Sequence, residues 1–308
     1  MFDDLLPFDP DANASAAGTP VHGFGHCNCR ARGRRLFTGG LLAAAVLPAW
    51  AREGVDVGKK SWAVDLIPAA QVEQGAAQQY QQMMGQEAGK RALLPPDHPQ
   101  TRRLRSIAAR MIPFALPWND RAQQWKWEVN LVVSPQLNAF CMPGGKIAFY
   151  YGILEKLKLS DDEVATIMGH EIAHALREHA RERMAKTTGT RVGANLLSNL
   201  LGLGNLGDAA MQVGANLLTL TYSRSDESEA DLVGMELAAR SGYDPAAGVS
   251  LWEKMTQAAK GAPPQFLSTH PSSKTRIKEI QLSLPKVQGL YERSAKPPQR
   301  FEVAGPLR

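Results

Sequence analysis

The sequence predicts an α+β fold, predominantly helical, with a small antiparallel sheet and one helix that carries the densest chemistry. Three observations predict it. Apolar residues recur at helical spacing through most of the chain. Between residues 125 and 150 that spacing gives way to short alternating and apolar runs broken by Pro143-Gly144-Gly145, the pattern of strands and a tight turn. Ser160-Asp161-Asp162-Glu163 is a capping box that opens a long periodic segment. There the Ser160 hydroxyl can accept from the Glu163 amide while the Glu163 carboxylate reaches back.

Composition narrows the class. A chain of 308 residues, 44% hydrophobic and 21% charged with a net charge of +5, has ample apolar content for a core and is not a disordered chain. No run approaches the roughly 20 apolar residues of a spanning helix, which excludes a polytopic membrane protein. Positive charges are interspersed apart from a cluster near residue 32, so nucleic acid is not an expected partner.

Residues 1–51 read as an export address. Arg30, Arg32, Arg34 and Arg35 precede an apolar run from Leu36 to Leu47, and Ala49-Trp50-Ala51 gives a small-x-small ending. Arg34-Arg35-Leu36-Phe37 is similar to a twin-arginine signal, so a periplasmic location is expected. The alternative is an uncleaved N-terminal anchor that leaves the chain facing the periplasm. His22, His26, Cys27 and Cys29 resemble a metal cluster, but they lie upstream of the apolar run and are expected to leave with it. The four Arg and four Asp of this stretch cancel, so the remainder keeps its charge and one cysteine, Cys141. A lone thiol makes no internal disulfide, and the fold must rest on its core.

Residues 52–94 are expected to form an N-terminal helical arm, with a Gln/Ala-rich helix from Pro68 to Lys90 before Pro95-Pro96. The main domain is placed at 95–285 and a peripheral C-terminal tail at 286–308. Within the domain, Leu104, Ile107, Ala108 and Met111 sit at helical spacing before Pro113. Strands are expected at Trp125–Val133, Asn138–Met142 and Lys146–Tyr150. The capping-box helix, with Val164, Ile167, Met168, Ile172 and Leu176 apolar, is expected to run to about Lys186. Gly, Asn and Leu then alternate, and Val192-Gly-Ala-Asn-Leu-Leu197 recurs as Val213-Gly-Ala-Asn-Leu-Leu218. Residues 187–221 are a candidate for peripheral contact with a membrane or a partner. Helices follow at Ser225–Arg240, at Pro245–Lys260 and from Thr269 through Leu284.

The chemistry starts at His170-Glu171-Ile172-Ala173-His174, an H-E-x-x-H motif on the capping-box helix. Positions i and i+4 stack on one face, so both imidazoles can bind one Zn²⁺ per chain. Glu171 is offset by about 100° and can take a proton from an activated water beside the metal. Zinc needs a further protein ligand, and Glu227 is the best candidate. Glu227 and Asp231 share a helix face with Gly234 and Ala238, small residues that permit close packing. Asp231 can accept a hydrogen bond from a ligand imidazole. Asp226 and Glu229 on the same helix read as a solvated face, and His179 as lying on a different part of its helix from His174.

At these residues the chain resembles a family of zinc metallopeptidases, the HtpX, BepA and LoiP type that also contains the CAAX prenyl protease. The resemblance covers roughly Pro95 to Leu284. It rests on ordered motifs: Asn138-Ala139-Phe140 with Pro143-Gly144-Gly145, Gly169-His170-Glu171-x-x-His174, Glu227-x-x-x-Asp231, and Ser268-Thr269-His270-Pro271 with Arg276. It implies a zincin-like metallopeptidase core with His170, His174 and Glu227 as zinc ligands and Glu171 as general base. It implies catalytic roles near the metal for His270 and Arg276, which would stabilise the oxyanion, and a latent state in which His270 takes the fourth zinc position. Asn138, Gly144 and Gly145 would bind an extended peptide by strand addition. The expected function is a zinc endopeptidase that cleaves unfolded or misfolded envelope and outer-membrane proteins. The alternative is a periplasmic chaperone or assembly factor with a latent zinc site; a non-peptidase zinc hydrolase is disfavoured by the resemblance.

Overall fold

The chain divides into two units, Met1–Arg52 and Glu53–Arg308. The computed structural model describes residues 53–192, 217, 220–260, 264–270 and 274–307, all in the second unit. The expected export address and most of the Gly/Leu segment therefore lie outside the described residues.

Nine α-helices and three strands follow in order among those residues. They are α1 (Ala69–Gly89), α2 (Pro99–Met111), β1 (Glu128–Val132), β2 (Ala139–Met142), β3 (Lys146–Tyr150), α3 (Tyr151–Lys156), α4 (Asp161–Leu176), α5 (His179–Val192), α6 (Arg224–Arg240), α7 (Ala247–Ala258), α8 (Gln265–Thr269) and α9 (Lys274–Arg293). None of these helices is long and apolar enough to cross a membrane. The α+β class and the helical majority are as the sequence predicts.

The sheet is mixed rather than wholly antiparallel. Its order is β1-β3-β2. The Pro143-Gly144-Gly145 turn folds β2 against β3 as an antiparallel hairpin, with Cys141 opposite Ile147. The third strand is inserted between the first two, so β1 meets a strand running in its own direction, with Val129 opposite Ile147. Alternation then sorts the side chains. Val129, Leu131, Cys141, Ile147 and Phe149 join the main core, whereas Val132, Phe140, Met142 and Ala148 join a second cluster. The expected polar arm covers that second face: Val72, Ala76, Tyr80 and Met84 form a one-residue-wide stripe along α1. The Tyr80 hydroxyl donates to the Ile147 carbonyl at 2.5 Å.

Three other expectations change. The capping-box helix is reciprocally capped by Ser160 and Glu163 as predicted, but it stops at Leu176. Glu178 takes φ 63°, and α5 starts anew at His179. The left-handed conformation costs a non-glycine residue about 1 kcal/mol or more. Lys60 and Arg181 at 3.2 and 2.8 Å, with Arg121, hold the Glu178 carboxylate there. The last helix also runs past the expected end, through Pro285 to Arg293, and buries Val287 and Leu290. Beyond it the chain is not peripheral. The Phe301 amide donates to Asp161 at 2.9 Å, the Tyr151 hydroxyl donates to the Gly305 carbonyl at 2.8 Å, and Ala304 is buried.

The site is positioned by the crossing of α4 and α6. A Cβ on Gly234 would stand 2.6 Å from the His170 backbone nitrogen, and one on Gly169 would stand 2.6 Å from the Gly234 carbonyl oxygen. These backbones approach as closely as they can only because both residues are glycine. Gly234→Ala is expected to push the helices apart, cost about 1–3 kcal/mol in urea unfolding of the metal-free chain, and weaken zinc binding in parallel. Unchanged stability and zinc affinity would show that the crossing tolerates a methyl group.

Candidate metal centre

Five of the expected site residues are packed into the core beside that crossing. His170, Glu171, His174, Glu227 and His270 are each 2–3% exposed. His170 and His174 stack one turn apart on α4, and their Nε2 atoms face each other at 3.0 Å. Glu227, in the first turn of α6, places Oε1 3.4 Å from His174 Nε2 and Oε2 3.6 Å from His170 Nε2. His270, just after α8, places Nδ1 2.9 Å from Glu227 Oε1 and 3.3 Å from His170 Nε2. One ligand atom from each of His170, His174, Glu227 and His270 lies within 4.8 Å of the others.

The donor set fits a metal ion. His170 Nδ1 bonds to Asp231 Oδ1 at 3.0 Å, which spends the ring proton and leaves the Nε2 lone pair aimed at the cluster. A tetrahedral ion with ligands at about 2.0–2.1 Å separates them by about 3.4 Å, close to the spacings here. A carboxylate with three imidazoles also suits zinc by donor type.

The electrostatics agree with an anionic Glu227 and a neutral His174, whereas the Glu171 and Glu227 carboxylates outweigh burial and raise the His270 imidazole. Burial pushes the Glu227 carboxyl up, but hydrogen bonds from His174 and His270 outweigh it and hold the group well below the usual carboxylate range. Burial drives the His174 imidazole well down, which keeps it neutral with a free lone pair. Burial also raises the Asp231 carboxyl, yet the Arg276 guanidinium wins and the group is depressed.

Glu171 stands beside the cluster instead of within it. Its Oε2 accepts from the Cys141 amide of β2 at 3.3 Å, and its Oε1 has no hydrogen-bond partner. His270 Nε2 lies 3.4 Å from that same Oε1. Burial raises the Glu171 carboxyl, partly offset by His270 and His170. A cavity of about 30 Å³ opens here, lined among others by Asn138, Phe140, Cys141, Glu171, Tyr222 and His270.

The sequence pattern of peptidase family M48 matches residues 98–283. The chain belongs to peptidase family M48. Mitochondrial metalloendopeptidase OMA1 of Schizosaccharomyces pombe is 36% identical over 218 residues, covering 70% of this chain and 61% of that protein. OMA1 of Arabidopsis thaliana is 40% identical over 152 residues, 49% of this chain and 30% of that one. Metalloprotease LoiP of Escherichia coli K12 is 28% identical over 201 residues, 62% of this chain and 73% of that one. The chain thus spans less than two thirds of the length of these OMA1 relatives. Zinc is the metal of M48 peptidases, and the four-donor cluster is where this M48 chain can hold it.

The remaining expected residues are placed as follows. Asn138 immediately precedes β2 on the cavity wall, and its carbonyl accepts from the Tyr150 amide at 3.0 Å. Gly144 and Gly145 lie in the hairpin turn with φ 82° and 77°, and a Cβ on Gly145 would strike the Trp127 ring at 2.6 Å. Glycine is needed there for the turn, and the two residues are not brought to the cavity. Arg276 does not point an open guanidinium at a substrate oxygen. It donates from Nε and Nη2 to Asp231 at 2.7 Å each, donates from Nη1 to Glu227 at 2.5 Å, and lies 3.8 Å over the Trp252 ring.

Other residues around the centre were hidden from the sequence reading. Tyr222 stacks on His174 with ring centroids 4.0 Å apart, and no motif announces it. Asp226 is a buried capping residue bonded to Ser223, and the half-buried Glu229 pairs with Arg177 and His179. His179 Nδ1 lies 2.8 Å from His174 Nδ1. On a continuous helix those two residues would sit about 140° apart. Only the break at Glu178 brings them together.

Proposed function

We propose that this M48 chain is a zinc-dependent endopeptidase of the cell envelope that cleaves unfolded or misfolded polypeptides, outer-membrane proteins among them. Glu171 Oε1, which makes no hydrogen bond and faces His270 Nε2 at 3.4 Å beside the four-donor cluster, carries the reading. The twin-arginine-like export signal read at residues 1–51 supports the location, and a β-barrel assembly-enhancing protease of Yersinia pestis, 27% identical over 161 residues, supports an envelope substrate. His170, His174 and Glu227 hold the zinc, which when bound supplies a Lewis acid for a carbonyl oxygen and acidifies water. Glu171 takes a proton from the attacking water and returns it to the leaving amine. Asp231 and Arg276 orient His170 and Glu227. The substrate lies extended along β2, the sheet edge that begins at Asn138, pairing through main-chain hydrogen bonds.

A second reading rests on His270. Its place among the donors fills the fourth position, as a latent enzyme or an assembly factor with a silent zinc site requires. Casein hydrolysis by the whole chain, abolished by a chelator and restored by zinc, separates peptidase from chaperone. His270→Ala is expected to raise that hydrolysis several-fold by freeing the position. A fall in place of a rise would assign His270 to oxyanion stabilisation; no chelator-sensitive cleavage by either protein would favour the assembly factor.

A further inference from the structure

The turn after the H-E-x-x-H motif builds a hydrogen-bonded chain that ends on the metal cluster. His179 opens α5 and is 1% exposed, wholly inside the protein. Its Nδ1 faces His174 Nδ1 at 2.8 Å, and its Nε2 faces Glu229 Oε2 at 3.3 Å. The other oxygen of Glu229 forms an ion pair with Arg177 Nε. Arg177 also donates from Nη2 to the Gly58 carbonyl at 3.1 Å, so the far end of the chain is tied to the N-terminal segment.

With His174 ligating through Nε2, only one arrangement of protons satisfies the contacts of His179. A ligating His174 presents the lone pair of Nε2, so its proton resides on Nδ1 and donates to His179 Nδ1. The His179 proton is then on Nε2 and donates to Glu229, whose charge Arg177 balances. The same logic is met differently at His170, which donates directly to Asp231. Asp231 and Glu229 both lie on α6, so one helix anchors both ligand imidazoles, one directly and one through a second histidine.

We propose that His179 is a positioning residue for the metal centre. It fixes the tautomer and ring plane of His174, with Glu229 and Arg177 fixing its own. The left-handed Glu178, clamped by Lys60, Arg121 and Arg181, is the device that delivers it there. The inference rests on the reading of His174 as a zinc ligand.

The test uses the full 308-residue chain and zinc ion itself, with affinity measured by chelator competition. One zinc per wild-type chain supports the ligand set, and its absence overturns that reading independently of His179. Given zinc binding, His179→Phe keeps the ring but loses the acceptor and is expected to weaken affinity about 10- to 100-fold. His179→Asn, whose Oδ1 stands near the place of Nδ1, is expected to recover most of that loss. Equal affinity in Phe, Asn and wild type overturns the proposal, as does equal weakening of both variants. Ring-nitrogen NMR of the zinc-loaded wild type reads the same point without a substitution, whatever the variants' folding. The expected state has His174 protonated on Nδ1 and His179 protonated on Nε2 alone. A His179 ring carrying its proton on Nδ1 overturns the proposal.

Discussion

Glu171→Gln is expected to bind zinc as the wild type does and to lose about 100- to 10,000-fold in peptidase rate, the contribution typical of a positioned general base. The geometry makes the substitution nearly silent for the fold. Glu171 uses one oxygen to accept from the Cys141 amide, and the glutamine carbonyl can take over that bond. The other oxygen makes no hydrogen bond and faces His270 Nε2 at 3.4 Å, a place the isosteric amide can occupy. The carboxylate is not among the four clustered donors, so metal affinity has no reason to fall. What the variant lacks is the capacity to take up a proton. Casein hydrolysis and zinc content measured on the same preparation decide the matter. Retained cleavage would remove Glu171 as base, whereas joint loss of zinc and cleavage would make it part of the ligand set.

The elements that were legible in the sequence are those whose causes are local. The capping box at Ser160 and Glu163 needs only four residues, and the i, i+4 stacking of His170 and His174 follows from helix geometry alone. Gly234, small and on the face of Glu227 and Asp231, announced a close helix crossing and makes one with Gly169. Features set by distant partners were not legible. Nothing between Leu176 and His179 marks a helix end, because the cations that hold Glu178 in its left-handed turn come from positions 60, 121 and 181. His179 was therefore assigned to the wrong face. Glu229 looked solvated because its partners, Arg177 and His179, sit some fifty residues earlier. The parallel pairing of β1 with β3 depends on which strand takes the centre of the sheet, and no residue in either strand states that. The expected end of the last helix at Leu284 is passed because burial of Val287 and Leu290 beyond Pro285, each worth about 1.5–3 kcal/mol, offsets a cost of about 3 kcal/mol for an interior proline.

Glu227→Ala is expected to reduce bound zinc to a small fraction of an equivalent and to destabilise the metal-free chain as well. Two separate losses add. The donor cluster would keep three imidazoles and lose its only anionic member, the carboxylate 2.9 Å from His270, 3.4 Å from His174 and 3.6 Å from His170. Arg276, 5% exposed, would also lose the carboxylate that accepts from its Nη1. Removing one side of a buried ion pair costs about 3–5 kcal/mol when the other charge is stranded. Here Asp231 still receives two bonds from Arg276, which places the expected cost at or below about 3 kcal/mol. Glu227→Gln separates the two effects. It retains a carbonyl for Arg276 and the packed volume, so urea unfolding of the metal-free protein should move less than in the alanine variant. Its neutral oxygen is a poor zinc ligand, so metal content should fall nearly as far. If both variants hold one zinc at wild-type affinity, Glu227 is a structural partner of Arg276 and the third protein ligand must be His270. If Gln binds zinc normally and Ala does not, the loss in Ala comes from collapse around Arg276, and the carboxylate charge plays no part in holding the metal.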